Sequence, residues 1–335
     1  MDKEYGSAVL TIVAALFISI FIFMLLNEFL VLPYLHETNR AVSIFDFYEH
    51  IMHNNTYNKS FNNNYNSNYN YNYNNYSNTY FIGSSQIGSG IDTRMIGQNV
   101  YNLGSVGDTP LRRLIELNQM IATRPRTAVI GLTYYELNES SHLISQSDYI
   151  APVSDKIGDI PREFFNNVEL EAIDAIPFYY NRKFLLNSIS VLVGYSSINY
   201  SNQQNWNVTN FTVPENHAIN NTHQELMNRL NDRAQIDRYV VSNRDCSQKD
   251  ALNYTICRLR DSGVKVIVIN MPLNPLLSAR ISNETRKNYF NFLNQTGVEY
   301  YDFERAFSGE FFVDLTHLNS VGRKRFTELL CPIVP

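Results

Sequence analysis

Hydrophobic positions follow three regimes along the chain. From Ser7 to Leu26 the sequence SAVLTIVAALFISIFIFMLL holds about twenty consecutive uncharged residues, enough at 1.5 Å per residue to cross a hydrocarbon core of ~30 Å. A cleaved secretory signal fits less well, because its apolar core is usually ~7–15 residues and no small-x-small site precedes Asn27-Glu28. The expectation is therefore a cytoplasmic tip over 1–6 and a transmembrane anchor over 7–26. Residues 27–53 are mixed and fairly apolar, with Pro33 placed to break a helix leaving the bilayer, and read as a membrane-proximal stalk. Residues 54–79 collapse into Asn, Tyr and Ser, too poor in aliphatic side chains to offset ordering entropy, and read as a flexible tether.

From Tyr80 onward, short apolar runs alternate with amphipathic stretches. Tyr80–Ile82, Val100–Leu103, Thr127–Leu132, Val264–Ile269 and Gly297–Asp302 have the length and content of strands, and 111–121, 251–261 and 281–294 have helical spacing. Strands alternating with helices imply a parallel sheet covered on both faces. The fold expected for 80–335 is an α/β one, a flavodoxin-like three-layer α/β/α sandwich. The stretch of about 140–238 is too long for a connecting loop, and reads as an insertion that folds over the strand ends as a lid or wall.

Composition narrows the function. Hydrophobic residues make up 44% and charged residues 18%, with 27 Lys+Arg against 32 Asp+Glu for a net charge of −5; this excludes a strongly basic nucleic-acid binder and a wholly disordered chain. Three cysteines exclude a multi-cysteine metal framework. Cys246 and Cys257 either pair in an oxidising exterior, leaving Cys331 unpaired, or stand as separate buried thiols. His217 and His223 are six apart, which is not a familiar metal spacing.

Asn-x-Ser/Thr triplets begin at Asn54, Asn58, Asn75, Asn138, Asn199, Asn207, Asn210, Asn220, Asn253, Asn283 and Asn294. Their spread along the whole post-membrane chain fits exposure to a glycosylating exterior. The flanking charges, Lys3 before the span and Arg40 after it, orient it poorly. The triplets favour a single-pass cell-membrane protein with its N-terminus inside and its bulk outside.

Ligands on parallel sheets bind beyond the carboxyl ends of the strands. Four such places carry suitable chemistry: Ser84-Ser85, Asn102 to Gly107, Thr133 to Glu136, and the stretch FFVDLTHLNSVG from Phe311 to Gly322. Asp314 and His317 are three apart, so one turn can present both, and a carboxylate beside an imidazole fixes its tautomer and stabilises its protonated form. A hydroxyl at the end of the first strand then completes a Ser, Asp, His order.

These blocks resemble the SGNH (GDSL-like) hydrolase superfamily, including its membrane-anchored envelope esterases and acyltransferases, over about Tyr80 to Cys331. Phe81-Ile82-Gly83-Ser84-Ser85 stands where the family has its Gly-Asp-Ser, Asn102-Leu103-Gly104 resembles the second block, and Asp314-Leu315-Thr316-His317 the last. The resemblance implies Ser85, Asp314 and His317 as catalytic residues and the amides of Ser85 and Gly104 as oxyanion donors. The third block departs from the pattern: Gly131-Leu132-Thr133 replaces the usual Asn, leaving the Thr133 hydroxyl as a third donor. The implied activity is an extracellular serine esterase or O-acyltransferase working on acyl groups of cell-surface glycans or glycoproteins, without metal or organic cofactor. Its partners would be the bilayer and, where acyl groups are handed over, an integral-membrane acyltransferase. The competing expectation is an inactive member that binds glycan or adheres.

Overall fold

The apolar runs become strands because each is short and rich in β-branched or aromatic residues, and the central ones are buried on two faces. A computed structural model describes residues 2–26, 44, 47–49, 51–52, 78–105, 107–138, 161, 164, 223–232, 236–244 and 246–334. Its strands are β1 (Thr79–Gly83), β2 (Val100–Asn102), β3 (Thr127–Leu132), β4 (Lys265–Asn270) and β5 (Glu299–Asp302). All pair in parallel in the order β2-β1-β3-β4-β5, so the α/β expectation holds. Helices are α1 (Asp2–Leu26), α2 (Ser85–Gly90), α3 (Pro110–Arg113), α4 (Leu117–Ala122), α5 (His223–Asn231), α6 (Ser247–Asp261), α7 (Pro275–Ser278), α8 (Asn283–Thr296) and α9 (Ser320–Leu330). The helix expected over 111–121 is interrupted by a tighter turn at Leu114–Glu116.

Alternation along the strands builds two cores. Tyr80, Ile82, Ala128, Ile130, Val266 and Val268 face one side, with Leu252, Ile256 and Leu259 of α6 and Tyr289 and Leu293 of α8. Phe81, Val129, Ile267 and Ile269 face the other, with Ile87 of α2 and Phe326 and Leu330 of α9. In register, Phe81 pairs with Val129 and Val129 with Ile267, so each layer stacks across the sheet. Fully burying one such side chain is worth about 1.5–3 kcal/mol before entropy is counted.

Local signals set the helix ends. Ser282 Oγ accepts the Thr285 amide at the start of α8, and Gly297 ends it at φ 61°. Asn319, two residues after His317, accepts the Gly322 amide on Oδ1 at 2.9 Å, which starts α9 at Ser320.

The larger departure concerns the stalk and the domain start at residue 80. Ile44, Phe47 and Tyr48 are buried in the same core as Tyr80. Phe47 meets Tyr80 and Tyr101 with ring centroids 5.7 and 5.0 Å apart. The core therefore draws on chain both before and after the Asn/Tyr tract, because aromatic rings from 47–48 fill the edge beside β1 and β2. The tract at 54–77, most of the stalk and most of the insertion lie outside the described residues, as do His217 and the triplets at Asn54, Asn58, Asn75, Asn199, Asn207, Asn210 and Asn220. Asn253, Asn283 and Asn294 are exposed, whereas Asn138 is buried and its Nδ2 donates to the carbonyls of Asp237 and Val240.

The Cys246–Cys257 pairing is corrected. All three cysteines are free, and Cys257 and Cys331 are exposed rather than buried. Cys246 caps α6 and Cys257 lies within it; eleven residues of helix separate their Cα atoms by ~16 Å, far beyond the ~4.4–6.8 Å a disulfide spans.

Over the expected anchor the chain is helical, α1 running Asp2–Leu26. Among the described residues, no helix is long and apolar enough to cross a membrane.

Candidate functional site

β1 ends at Gly83, whose φ of 149° suits glycine, and a Cβ there would lie 2.6 Å from the Gly131 carbonyl oxygen. That close approach turns the chain directly into α2, so Ser85 is the first helical residue beyond the strand. Its amide belongs to the first helical turn, which has no intrahelical acceptor. Gly104 backs onto α2 so tightly that a Cβ would meet the Gly88 nitrogen at 2.3 Å. Two strand ends and one helix are thus locked together by residues without side chains.

Asp314 and His317 come from a narrow loop. Phe312 bridges Leu318 in antiparallel fashion, the Val313 amide donates to the His317 carbonyl at 2.9 Å, and the Asn319 amide to the Phe311 carbonyl at 2.8 Å. Inside this loop Asp314 Oδ1 accepts the amides of Thr316 and His317, each at 2.7 Å. Its other oxygen, Oδ2, lies 2.8 Å from His317 Nδ1, and His317 Nε2 lies 2.8 Å from Ser85 Oγ. The three side chains expected from sequence are brought together across 232 residues of chain.

Burial pushes the Asp314 carboxyl up, but the His317 hydrogen bond and charge and the two amides outweigh it and hold the group at about 2. Asp314 therefore stays ionised at neutral pH, able to orient His317 and stabilise its protonated form. Ser85 and His317 are half-buried, open enough for a substrate to reach. In this order the groups can remove a proton from a serine hydroxyl as it attacks a carbonyl.

The expected oxyanion donors are differently engaged. The Gly104 amide donates to Asn102 Oδ1 at 3.0 Å, while Asn102 Nδ2 donates to the carbonyls of Ile87 and Ile91. Thr133 is buried, and both its hydroxyl and its amide donate to Glu136 Oε2. The structure thus aims the Thr133 hydroxyl at Glu136, whose side chain lies three residues on. Beside these groups, a cavity of about 20 Å³, room for a single water, is lined by Ser84, Asp108, Arg113, Glu136 and their neighbours.

Several supporting residues escaped the sequence reading. Gln86 Nε2 donates to the Thr316 carbonyl at 2.9 Å, tying the serine helix to the Asp-His loop. Asn274 Nδ2 donates to the Asp314 carbonyl at 3.2 Å, and the Asn274 amide to the Leu315 carbonyl. Asn274 follows β4, a strand end as legible as the four considered, so the same rule would have found it. Tyr239, at the end of the insertion, faces Tyr135 with ring centroids 6.0 Å apart. Burial pushes its phenol up, and the nearby charges of Glu136 and Asp314 add to that. Among the described residues, no group of three or more His, Cys, Asp or Glu could hold a metal ion.

A family model for a domain of unknown function matches residues 216–334. That segment holds β4, β5, Asp314 and His317 and omits Ser85. No curated protein matches the chain.

Proposed function

We propose that this chain is an SGNH-type serine esterase or O-acyltransferase, anchored in the cell membrane by α1 and acting outside it on acyl groups of surface glycans. The observation that carries the reading is the continuous run from Ser85 Oγ through His317 to Asp314, with both links at 2.8 Å. The strand order 2-1-3-4-5, with helices on both faces, is that of flavodoxin-like sandwiches and supports the same fold assignment. For the anchor, the support is the uncharged run from Ser7 to Leu26, which lies on α1. Its Ile12, Phe17, Ile18 and Phe21 side chains are exposed, a surface suited to lipid rather than water.

In this mechanism His317 takes the proton of Ser85 as Oγ bonds to the ester carbon. The Ser85 amide holds the developing oxyanion, joined by the Gly104 amide when it exchanges Asn102 Oδ1 for substrate. Collapse breaks the ester bond, and His317 returns its proton to the leaving alcohol. Water or a sugar hydroxyl then attacks the acyl-serine, giving up its proton to His317, which passes it back to Ser85 Oγ.

A second reading is an inactive fold that binds glycan. It is favoured by the engagement of Thr133 with Glu136 and of Gly104 with Asn102, since a missing oxyanion donor costs ~10²–10³ in turnover. Labelling the full chain with a fluorophosphonate probe separates the two. The hydrolase reading expects labelling that disappears in Ser85→Ala and His317→Ala. A folded wild type that stays unlabelled would sink it and make glycan binding the function to assay.

A further inference from the structure

Arg113 lies at the end of α3, off the reacting atoms and buried. Its Nη2 donates to the Gly83 carbonyl at 3.0 Å and to the Leu103 carbonyl at 2.9 Å. Gly83 is the hinge into Ser84-Ser85. The Leu103 carbonyl belongs to the peptide unit whose N–H is that of Gly104, and in a planar trans peptide C=O and N–H point opposite ways. Holding that carbonyl therefore sets the direction of the Gly104 N–H. The Ser105 amide also donates to the Gly83 carbonyl, at 2.9 Å, so the two loops meet at one oxygen and the guanidinium ties both.

The guanidinium is itself held. Arg113 Nη1 donates to Glu116 Oε1 at 2.5 Å, and Nη2 also pairs with Asp108. Glu116 Oε2 accepts the Tyr48 hydroxyl at 3.1 Å. Tyr48 comes from before the Asn/Tyr tract, 68 residues from Glu116. A planar fork of five donors can hold two carbonyls and two carboxylates at once; an ammonium cannot reproduce that geometry.

We propose that Arg113 is a positioning residue, which fixes the distance and orientation between the Ser85 loop and the Gly104 loop, and that Tyr48 completes the assembly by holding Glu116. The proposal rests on the serine reading above for what is being positioned. The chain next to the membrane anchor thereby becomes part of the support for the candidate site.

The test uses the full chain in detergent and compares wild type with Arg113→Lys, Glu116→Gln and Tyr48→Phe. Leu259→Ala, which loosens the core under α6 without touching either loop, serves as the stability control. Two readouts are taken per folded molecule: the limiting rate and half-saturating concentration for fluorophosphonate labelling, and amide hydrogen exchange over 81–90 and 101–105. Positioning expects the limiting rate to fall about tenfold or more in Arg113→Lys, since a misplacement near 1 Å can cost ~10²-fold. It expects about threefold in Glu116→Gln and less in Tyr48→Phe, with half-saturation unchanged and exchange faster in both segments. Leu259→Ala should keep the wild-type rate. Should Arg113→Lys not fold, Glu116→Gln decides alone. A rate within twofold of wild type together with unchanged exchange overturns the proposal. If wild type never labels, the serine reading has failed instead, and exchange in the two segments decides whether Arg113 clamps them.

Discussion

Arg286 meets one carboxylate, that of Glu304, through Nε at 3.0 Å and Nη2 at 2.5 Å, and Glu304 also accepts the hydroxyls of Tyr134 and Ser278. Arg113 meets two carboxylates, Asp108 and Glu116; each guanidinium also donates to two backbone carbonyls, Arg113 to Gly83 and Leu103 and Arg286 to Ile281 and Ser278. The first cluster is balanced: burial pushes Glu304 up, but Arg286, Ser278 and Tyr134 together bring it below its ordinary value. The second is not, because burial raises Asp108, Arg113 only partly opposes that, and Glu116 adds to it. Arg113 Nε has no hydrogen-bond acceptor among the described residues. A buried ion pair with every lone pair matched can hold a fold together. One whose single cation is shared between two buried carboxylates leaves one of them incompletely compensated and gives up part of that stabilisation.

The largest test of this contrast is Arg286→Met. It strands Glu304, which is 2% exposed, and should cost about 3–5 kcal/mol, read as a lowered denaturant midpoint. An effect below ~1 kcal/mol would erase the claim that this cluster stabilises the fold.

Next come the carboxylates themselves. Glu304→Gln should cost about 1.5–3 kcal/mol, the worth of charged hydrogen bonds. Asp108→Asn should cost under ~1 kcal/mol, because folding already favours its neutral form. Equal losses in the same denaturation series would show that the two sites are balanced alike.

Stability against pH sharpens the point by sign. Asp314 and Glu304 are lowered from ordinary values of 3.8 and 4.5, so their contribution is present above those values and drains as pH falls, for Asp314 through about 2. The Asp314 share is about 2 kcal/mol. Asp108 is raised, so its contribution is complete below 3.8 and lost as pH rises through its elevated value. Midpoints measured across acid and neutral pH should therefore lose their neutral-side slope in Asp108→Asn and part of their acid-side slope in Glu304→Gln. The opposite assignment of slopes would reverse the comparison.

The tyrosine that reaches each cluster gives a modest effect. Tyr134→Phe should cost about 1.5 kcal/mol, since its hydroxyl lies 2.5 Å from Glu304, and Tyr48→Phe about 0.5–1 kcal/mol at 3.1 Å from Glu116. Both are small enough to leave the fold intact, so calorimetry on folded protein can rank them.

How much of this was legible depends on the range of the contact. β3 reads directly from TAVIGL because every residue of it is buried, so no polar alternation masks the run. Asp314 and His317 share one short loop, and their spacing alone places them together. Ser85 was found by its place at a strand end. Thr133 also lies beyond its strand, but whether its hydroxyl faces the substrate or Glu136 depends on a rotamer and a neighbour, which no motif encodes. The pairing of Cys246 with Cys257 looked open until α6 ran between them, because helix rise separates what sequence spacing leaves adjustable.

The sequence by itself determined the alternation of strands and helices, the charge-free first segment, and the residues able to form a Ser, His, Asp relay, since each is a property of composition or local spacing. Only the tertiary structure decided the strand order, the burial of Phe47 and Tyr48 in the domain's core, and the grip of Arg113 on Gly83 and Leu103. Those depend on contacts between segments 30, 10 and 68 residues apart, and a buried guanidinium chooses its partners by which carbonyls the packed backbone leaves within reach.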